Sequence, residues 1–337
     1  MPANRRFTLV RRPSGTPVPD DFRLTEEPTP MLADGQFLLR NHYASLDPAI
    51  RGWMDDAPSY LPPIRLGDAV RATTVGVITQ SRNPDFPVGA WASGLNAIED
   101  YSLGSGGGFT ARIDPDAVPS VTNYLSSVGA IGLTAYFALL DVGKPKSGET
   151  VLVTGAAGAV GSLVGQIAKM QGCRTVGIAG GPAKCARLLR DYGYDAAIDY
   201  RGKSYEELVA AVREAAPDGV DVHFENVGGD ILDAALLSLN PKGRVVLCGL
   251  ISEYNSAHRG ARNIWQLIVQ GARMEGFILT QYVARFAEAI GPLAEWTKSG
   301  KLRMDEHIDK GIENALPAFL RLFEGSNDGK MILQLAE

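Results

Sequence analysis

From about residue 123 onward, short apolar runs alternate with stretches of helical spacing. The runs lie at 150–154 (TVLVT), 174–179 (RTVGIA), 196–200 (AAIDY), 220–225 (VDVHFE), 244–249 (RVVLCG) and 273–279 (RMEGFIL). Helical segments near 159–171, 182–192, 204–215, 229–238, 260–271 and 282–298 separate or follow them. Six strands alternating with helices predict an α/β fold with a doubly wound parallel sheet, its strands buried on both faces. The first 122 residues read differently. They are rich in proline, with short apolar runs such as QFLLR at 36–40 and VGVIT at 75–79. Turn residues break them up: PVPD at 17–20, NPD at 83–85 and SGGG at 105–108. Short strands between many breakers predict a mainly β domain. The tail, 301–337, has a helix-like stretch at 312–323 and a strand-like one at 331–335. The expected organisation is therefore 1–122, 123–300 and 301–337.

Composition narrows the field. A chain of 337 residues suits two domains, each with a sizeable core. Hydrophobic residues at 45% and charged residues at 21% argue against disorder. The net charge of −5 leaves no broad basic excess for nucleic acid. Three cysteines, Cys173, Cys185 and Cys248, make no disulfide framework and suit a reducing cytoplasm. No apolar run approaches the roughly 18 residues a membrane span needs. The opening MPANRRFTLVRRPSG lacks the apolar region of a secretory signal. The expectation is a cytoplasmic protein with no membrane or nucleic-acid partner.

Candidate chemistry begins at VLVTGAAGAVG, 151–161, where a β-run feeds a glycine-rich turn and then an amphipathic helix. That context is what a dinucleotide site requires. Gly155 would permit the turn. The bare Gly158 would let a pyrophosphate approach the helix N-terminus, where unbonded N–H groups and the helix dipole favour negative charge. Gly161 would permit close helix packing. The spacing departs from G-x-G-x-x-G, because alanine takes the middle position.

At the end of the next strand, NAD-binding chains usually carry an acid that bonds the adenosine ribose. This chain has Ala179-Gly180-Gly181-Pro182-Ala183-Lys184, with no carboxylate to repel a 2′-phosphate. Pro182 suits a first helical turn and would place Lys184 beside a helix N-terminus. The pattern predicts a preference for NADPH.

Several separated segments together resemble one family. They are NHYASLDP at 41–48 with Arg51-Gly52, GAIGLTAY at 129–136, AAGAVGS at 156–162, Lys184, ENVGG at 225–229, CGLISEYN at 248–255 and GKM at 329–331. The chain resembles the zinc-independent medium-chain dehydrogenase/reductases, in the branch of NADPH-dependent alkenal/enone double-bond reductases. That branch includes the leukotriene B4 12-hydroxydehydrogenase/prostaglandin reductases and curcumin reductase. The resemblance implies a GroES-like catalytic domain split between both ends of the chain, around a central Rossmann domain. It also implies a cleft for the nicotinamide and a homodimer. Carried over by motif, the NADP(H) contacts are Ala156, Ala157, Gly158, Ala159 and Val160, then Lys184, Tyr200 and Asn226. They continue with Cys248, Gly249, Ile251, Ser252 and Tyr254, then Phe277, Ile278 and Leu279, and finally Asn327. Three departures stand out. Gly181-Pro182 replaces a serine-containing loop and loses a hydroxyl donor. Ala49 stands where relatives carry an aromatic. Gly106-Gly107-Gly108 could form a lip at the cleft edge.

The implied reaction adds hydride to the β-carbon of a small hydrophobic enone or enal, and charge then develops on the carbonyl oxygen. A donor aimed there stabilises the transition state. Tyr254 is the candidate, working with the nicotinamide ribose hydroxyl. Zinc is not expected: the first 122 residues hold one histidine, His42, and no cysteine, and His223, His258 and His307 have no ligand spacing. His223, in a buried run, reads as a core histidine, and Arg51 as a structural arginine. Two other readings stay open. One is a quinone or alcohol/carbonyl oxidoreductase on the same fold. The other is a non-enzymatic NADPH-binding sensor.

Overall fold

The computed structural model describes residues 3–336. The chain divides into two units. One runs to Gly129 and resumes at Glu306; the other is Ala130–Asp305. In the first, β1 (Ala3–Leu9) and β2 (Phe22–Pro28) form an antiparallel ribbon. β3 (Phe37–Ser45), the short α1 (Ala49–Trp53), β4 (Arg71–Ser81), β5 (Trp91–Ala97), β6 (Tyr101–Gly104) and β7 (Ala111–Ile113) follow. β3, β4, β5 and β7 pair in that order, all antiparallel, and β6 also pairs with β3. The Gly106–Gly108 stretch is a tight turn with φ of 84°, 82° and 60°. Any Cβ on Gly106 would stand 2.5 Å from the Phe86 ring.

The second unit opens with α2 (Ala130–Phe137). It then alternates β8 (Thr150–Thr154), α3 (Ala159–Met170), β9 (Arg174–Ala179), α4 (Pro182–Arg190), β10 (Ala196–Asp199) and α5 (Tyr205–Ala215). β11 (Val220–Glu225), α6 (Gly229–Leu236), β12 (Leu239–Leu247), α7 (Trp265–Gln270), β13 (Arg273–Gly276) and α8 (Phe286–Lys298) complete it. The strands form one parallel sheet in the order β10-β9-β8-β11-β12-β13. This is the doubly wound order, reversing between β8 and β11. Every residue of β8 is buried, as a β-branched run covered on both faces should be. Leu163, Val164, Ile167 and Ala168 form the inner stripe of α3 against that sheet. α4 starts on Pro182, and α5 on a reciprocal Ser204/Glu207 cap.

Three elements differ from expectation. The strand expected at 244–249 is β12, which starts at Leu239 and carries an irregularity in its pairing with β11. Cys248 and Gly249 lie beyond it in a loop. The strand expected to reach 279 stops at Gly276, and Leu279–Arg285 is a 3-10 helix. The helix expected at 260–271 is only α7, because the Arg262 and Asn263 amides donate to the buried Asp233 carboxylate, 2.6 and 3.2 Å. α7 leaves Trp265, Ile268 and Val269 exposed at 64%, 69% and 58%. β13 beside it is the edge of the sheet. Among the described residues no helix is long and apolar enough to cross a membrane.

The chain then returns to the first unit. β14 (Glu306–Lys310), α9 (Ala315–Glu324) and β15 (Lys330–Gln334) follow, and β15 inserts between β14 and β3. Lys330 fixes it. Its side chain is 1% exposed. Nζ donates to the Leu46 and Met331 carbonyls, both at 2.7 Å, and lies 3.2 Å from Asp47 Oδ1. Burial pushes its ammonium below the ordinary lysine range, while Asp47 opposes the shift. The 41–48 motif is thus spent on structure. Asn41 bridges Glu99 O, Ser102 and Thr74, and Ser45 Oγ donates to Asp47. Arg51 is likewise buried, donating to Gly15 O, Pro13 O and Asp55. Lys330→Ala should cost about 3 kcal/mol, because it empties a fully buried site, takes the cation from Asp47 and leaves the Leu46 carbonyl without this donor. Urea unfolding of variant and parent measures this; equal midpoints would show that the ammonium carries no weight.

Candidate functional site

The carboxyl ends of the parallel strands gather most of the residues singled out in the sequence. β8 ends at Thr154 and the chain turns at Gly155, φ 57°, where a Cβ would meet Asn226 and Val227 at 3.5 Å. The turn closes with the Gly158 amide on Gly155 O at 2.9 Å. Gly158 caps α3, and a Cβ there would meet only Gly155 O, at 3.1 Å. Gly161 has no such room: a Cβ would stand 2.4 Å from Gly155 O and 2.8 Å from Ala156 Cα. The helix packs directly on the turn through that glycine. At the start of α3 the Ser162 amide donates to Gly158 O. The amides of Ala159, Val160 and Gly161 precede it, the usual unbonded set of a helix start. A bare, donor-lined turn of this kind fits a pyrophosphate.

The neighbouring strand ends are tied to this turn by one buried carboxylate. Glu225, the last residue of β11, is fully buried. Its Oε1 accepts the Val227 and Gly228 amides and the Thr154 hydroxyl, the last at 2.7 Å. Its Oε2 pairs with His223 Nε2 at 2.7 Å. His223 Nδ1 has no hydrogen-bond partner among the described residues. Burial alone would raise the Glu225 carboxyl, but His223 and the surrounding donors outweigh it and hold it below its ordinary 4.5. Thr154 Oγ1 in turn accepts the Asn226 amide, and Asn226 Nδ2 donates to Thr154 O, 2.8 and 2.7 Å.

The loop after β12 hangs from the same corner. The Cys248 and Gly249 amides donate to Glu225 O, Ile251 to Asn226 O and Ser252 to Val227 O. Burial and the Glu225 charge push the Cys248 thiol up to about 12, so it is no thiolate nucleophile at neutral pH. Tyr254 folds back over this loop: its Oη accepts the Leu250 amide at 3.4 Å. A Cβ on Gly249 would stand 3.1 Å from that oxygen and 3.6 Å from Asn226 O. Tyr254 and Asn226 therefore share one corner. Phe277, Ile278 and Leu279 follow β13, the next strand of the same edge, with the Phe277 amide on Leu247 O.

On the other side of β8, β9 ends at Ala179, paired in register with Asp199 at the end of β10. Gly180 and Gly181 lead into α4, which carries Lys184 in its first turn, half-buried. Tyr200, 39% exposed, directly follows β10. Asp199 ends that strand because its carboxylate takes the Gly181 and Arg201 amides, 2.7 and 3.0 Å. Sequence reasoning missed Asp199 and Arg201 here. The available signal was the glycine pair, which leaves space that something must fill. Asn327 belongs to the other unit, where its buried Nδ2 donates to Gly329 O at 2.8 Å. Among the described residues no three His, Cys, Asp or Glu side chains are grouped to hold a metal ion.

Comparison with known proteins adds to this geometry. Residues 5–111 match the family described as N-terminal domain of oxidoreductase. Residues 159–295 match the family described as zinc-binding dehydrogenase. The chain is 40% identical over 340 residues to the NADPH-dependent curcumin reductase of Escherichia coli (strain K12), covering 99% of this chain and 97% of that one. It is 37% identical over 335 residues to prostaglandin reductase 1 of Rattus norvegicus, covering 98% of both. The solved structure of CurA from Vibrio vulnificus in complex with NADPH superposes with a TM-score of 0.91 at 38% identity, covering 99% of both chains.

The Glu225 knot makes a testable claim. Glu225→Gln should destabilise the protein by about 3 kcal/mol near neutral pH, since it leaves His223 and two amides poorly matched. The carboxyl sits below its unfolded value in the native state, so its contribution is present above about pH 4.5 and lost as pH falls through the lower native value. Unfolding free energies of parent and variant should therefore converge in acid. A gap that stays constant down to pH 3 would reject the assignment.

Proposed function

Because the chain belongs to the medium-chain dehydrogenase/reductases, in the branch that includes the curcumin and prostaglandin reductases, we propose that it reduces the C=C bond of α,β-unsaturated ketones and aldehydes with NADPH. The observation that carries this reading is the corner where the Tyr254 hydroxyl stands over Gly249 and beside Asn226. In this reading residues 156–160, Lys184, Tyr200, Asn226, the 248–254 loop and 277–279 hold the cofactor. When bound, NADPH supplies a hydride to the β-carbon of the substrate. The chain's own residues do the rest. The turn before α3 fixes the pyrophosphate, and the amides that hang the 248–254 loop from β11 fix Tyr254. As negative charge grows on the carbonyl oxygen, the Tyr254 O–H donates to it. The Leu250 amide on the same phenol oxygen makes that O–H a stronger donor. The α-carbon then takes a proton and the carbonyl survives intact. No zinc takes part in this scheme.

We further propose a homodimer. Trp265, Ile268 and Val269 make an exposed apolar face on α7, the helix that leads into the edge strand β13. Open edges and apolar patches are surfaces that proteins cover, and a two-fold axis beside β13 would cover both at once.

The function is tested by following nicotinamide absorbance and products with a 2-alkenal, a cyclic enone, a long-chain enone, a quinone and a saturated aldehyde. Saturated ketones or aldehydes formed with NADPH are expected. With a good enone, Tyr254→Phe should lower kcat about a hundredfold, a far larger effect than on NADPH affinity. Turnover confined to the quinone or the saturated aldehyde would replace this reading with a different oxidoreductase, and an unchanged kcat would remove Tyr254 from the donor role. Light scattering tests the assembly: Ile268→Asp should halve the parent's mass, and a monomeric parent would overturn the dimer.

A further inference from the structure

From the geometry around the glycine pair we infer that Arg201 is a second cation for the 2′-phosphate of NADPH and sets the preference over NADH. This rests on the NADPH reading above. β9 and β10 are neighbours and end in register at Ala179 and Asp199, so the segments that follow them lie side by side. A Cβ on Gly180 would stand 3.0 Å from both Arg201 Nε and Tyr200 Oη, and 3.1 Å from Tyr200 Cε1. A Cβ on Gly181 would stand 3.5 Å from Arg201 Nη1. The guanidinium thus lies along the glycine pair that opens α4, the helix bearing Lys184. A side chain at residue 180 would take that place.

The turn's own donors are depleted at this point. Pro182 has no N–H, and residue 181 has no hydroxyl to offer. The Gly181 amide is already given to Asp199 Oδ1 at 2.7 Å. Beyond the Ala183 and Lys184 amides of the first turn of α4, an anion here is held by side chains. Arg201 is suited to hold it, because its guanidinium has no hydrogen bond or ion pair among the described residues, although Asp199 is close. That carboxylate spends Oδ1 on two main-chain amides, one of them Arg201's own, which fixes residue 201 beside the turn. A planar fork of N–H groups matches a phosphate monoester in a way that the hydroxyl of NADH does not. Lys184 supplies a point charge and Tyr200 a hydroxyl, so three side chains from two strand ends would share the phosphate.

The experiment measures binding without turnover. Calorimetry with 2′,5′-ADP and 5′-AMP, and fluorescence titration with NADPH and NADH, are run on parent, Arg201→Ala and Arg201→Lys. Arg201→Ala should weaken 2′,5′-ADP and NADPH about tenfold, and 5′-AMP and NADH less than about twofold. Arg201→Lys should recover part of the loss, and the salt dependence of NADPH binding should become shallower in Arg201→Ala. A parent that binds 2′,5′-ADP no better than 5′-AMP would overturn the NADPH reading itself. A discriminating parent with an equally discriminating Arg201→Ala would overturn the inference alone and leave the phosphate to Lys184. An equal loss for all four ligands would reduce Arg201 to a packing role and overturn it too.

Discussion

The candidate site depends on a carboxylate that water never reaches. Glu225 ends β11 at the point where the sheet reverses, and its two oxygens gather His223, Thr154 and the two amides that turn the chain toward α6. Burying a charge is costly unless nearly every lone pair is answered. Here the answering groups come from both central strands. Thr154 fixes the start of the Gly155–Gly158 turn on one side, and the Glu225 and Asn226 carbonyls suspend the 248–254 loop on the other. Loop positions that would otherwise fluctuate inherit the rigidity of the sheet. The same corner therefore sets where a pyrophosphate can rest and where the Tyr254 hydroxyl stands.

Much of this was legible in the sequence, for reasons that differ by residue. β8 and most of β9 declare themselves because strands covered on both faces are mainly apolar, while β11 is read from Val220, Val222 and Phe224 alternating with polar residues and from its place in the strand–helix alternation. The α3 turn is legible because only glycine fits where Gly161 meets the Gly155 carbonyl. Element ends were less readable, because distant partners decide them. The Asp233 carboxylate takes the amides of Arg262 and Asn263, and the expected helix shrinks to α7. Asp199 stops β10 in a similar way. Pro241, Lys242 and Gly243 hide the start of β12, with Lys242 in the left-handed region at φ 65°.

Arg201 marks another limit. An exposed arginine after a strand is commonplace in any sequence, and nothing in its neighbours sets it apart. Its significance comes from a different strand end, where Gly180 leaves the space its guanidinium occupies. Tyr254 was found through the motif around it, since a tyrosine in a loop has no periodicity to betray it. The 41–48 motif taught the converse: Asn41, Ser45 and Asp47 stand out as chemistry-bearing residues, yet they hold strands together and anchor Lys330.

The position of β15 carries a consequence for how the chain is made. In the first unit, β3 (Phe37–Ser45) has β15 (Lys330–Gln334) as a direct neighbour, with β14 beyond it. Almost three hundred residues must be synthesised between those partners. Ala130–Asp305 holds its whole sheet within one continuous stretch, so it has its partners before β15 is synthesised. The first unit does not: β6 covers residues 37–40 of β3 early, but residues 43–45 wait for β15 with their outer amides and carbonyls unpaired. Truncation before Lys330 would remove an interior strand, and would leave a nascent sheet open to chaperones and proteases.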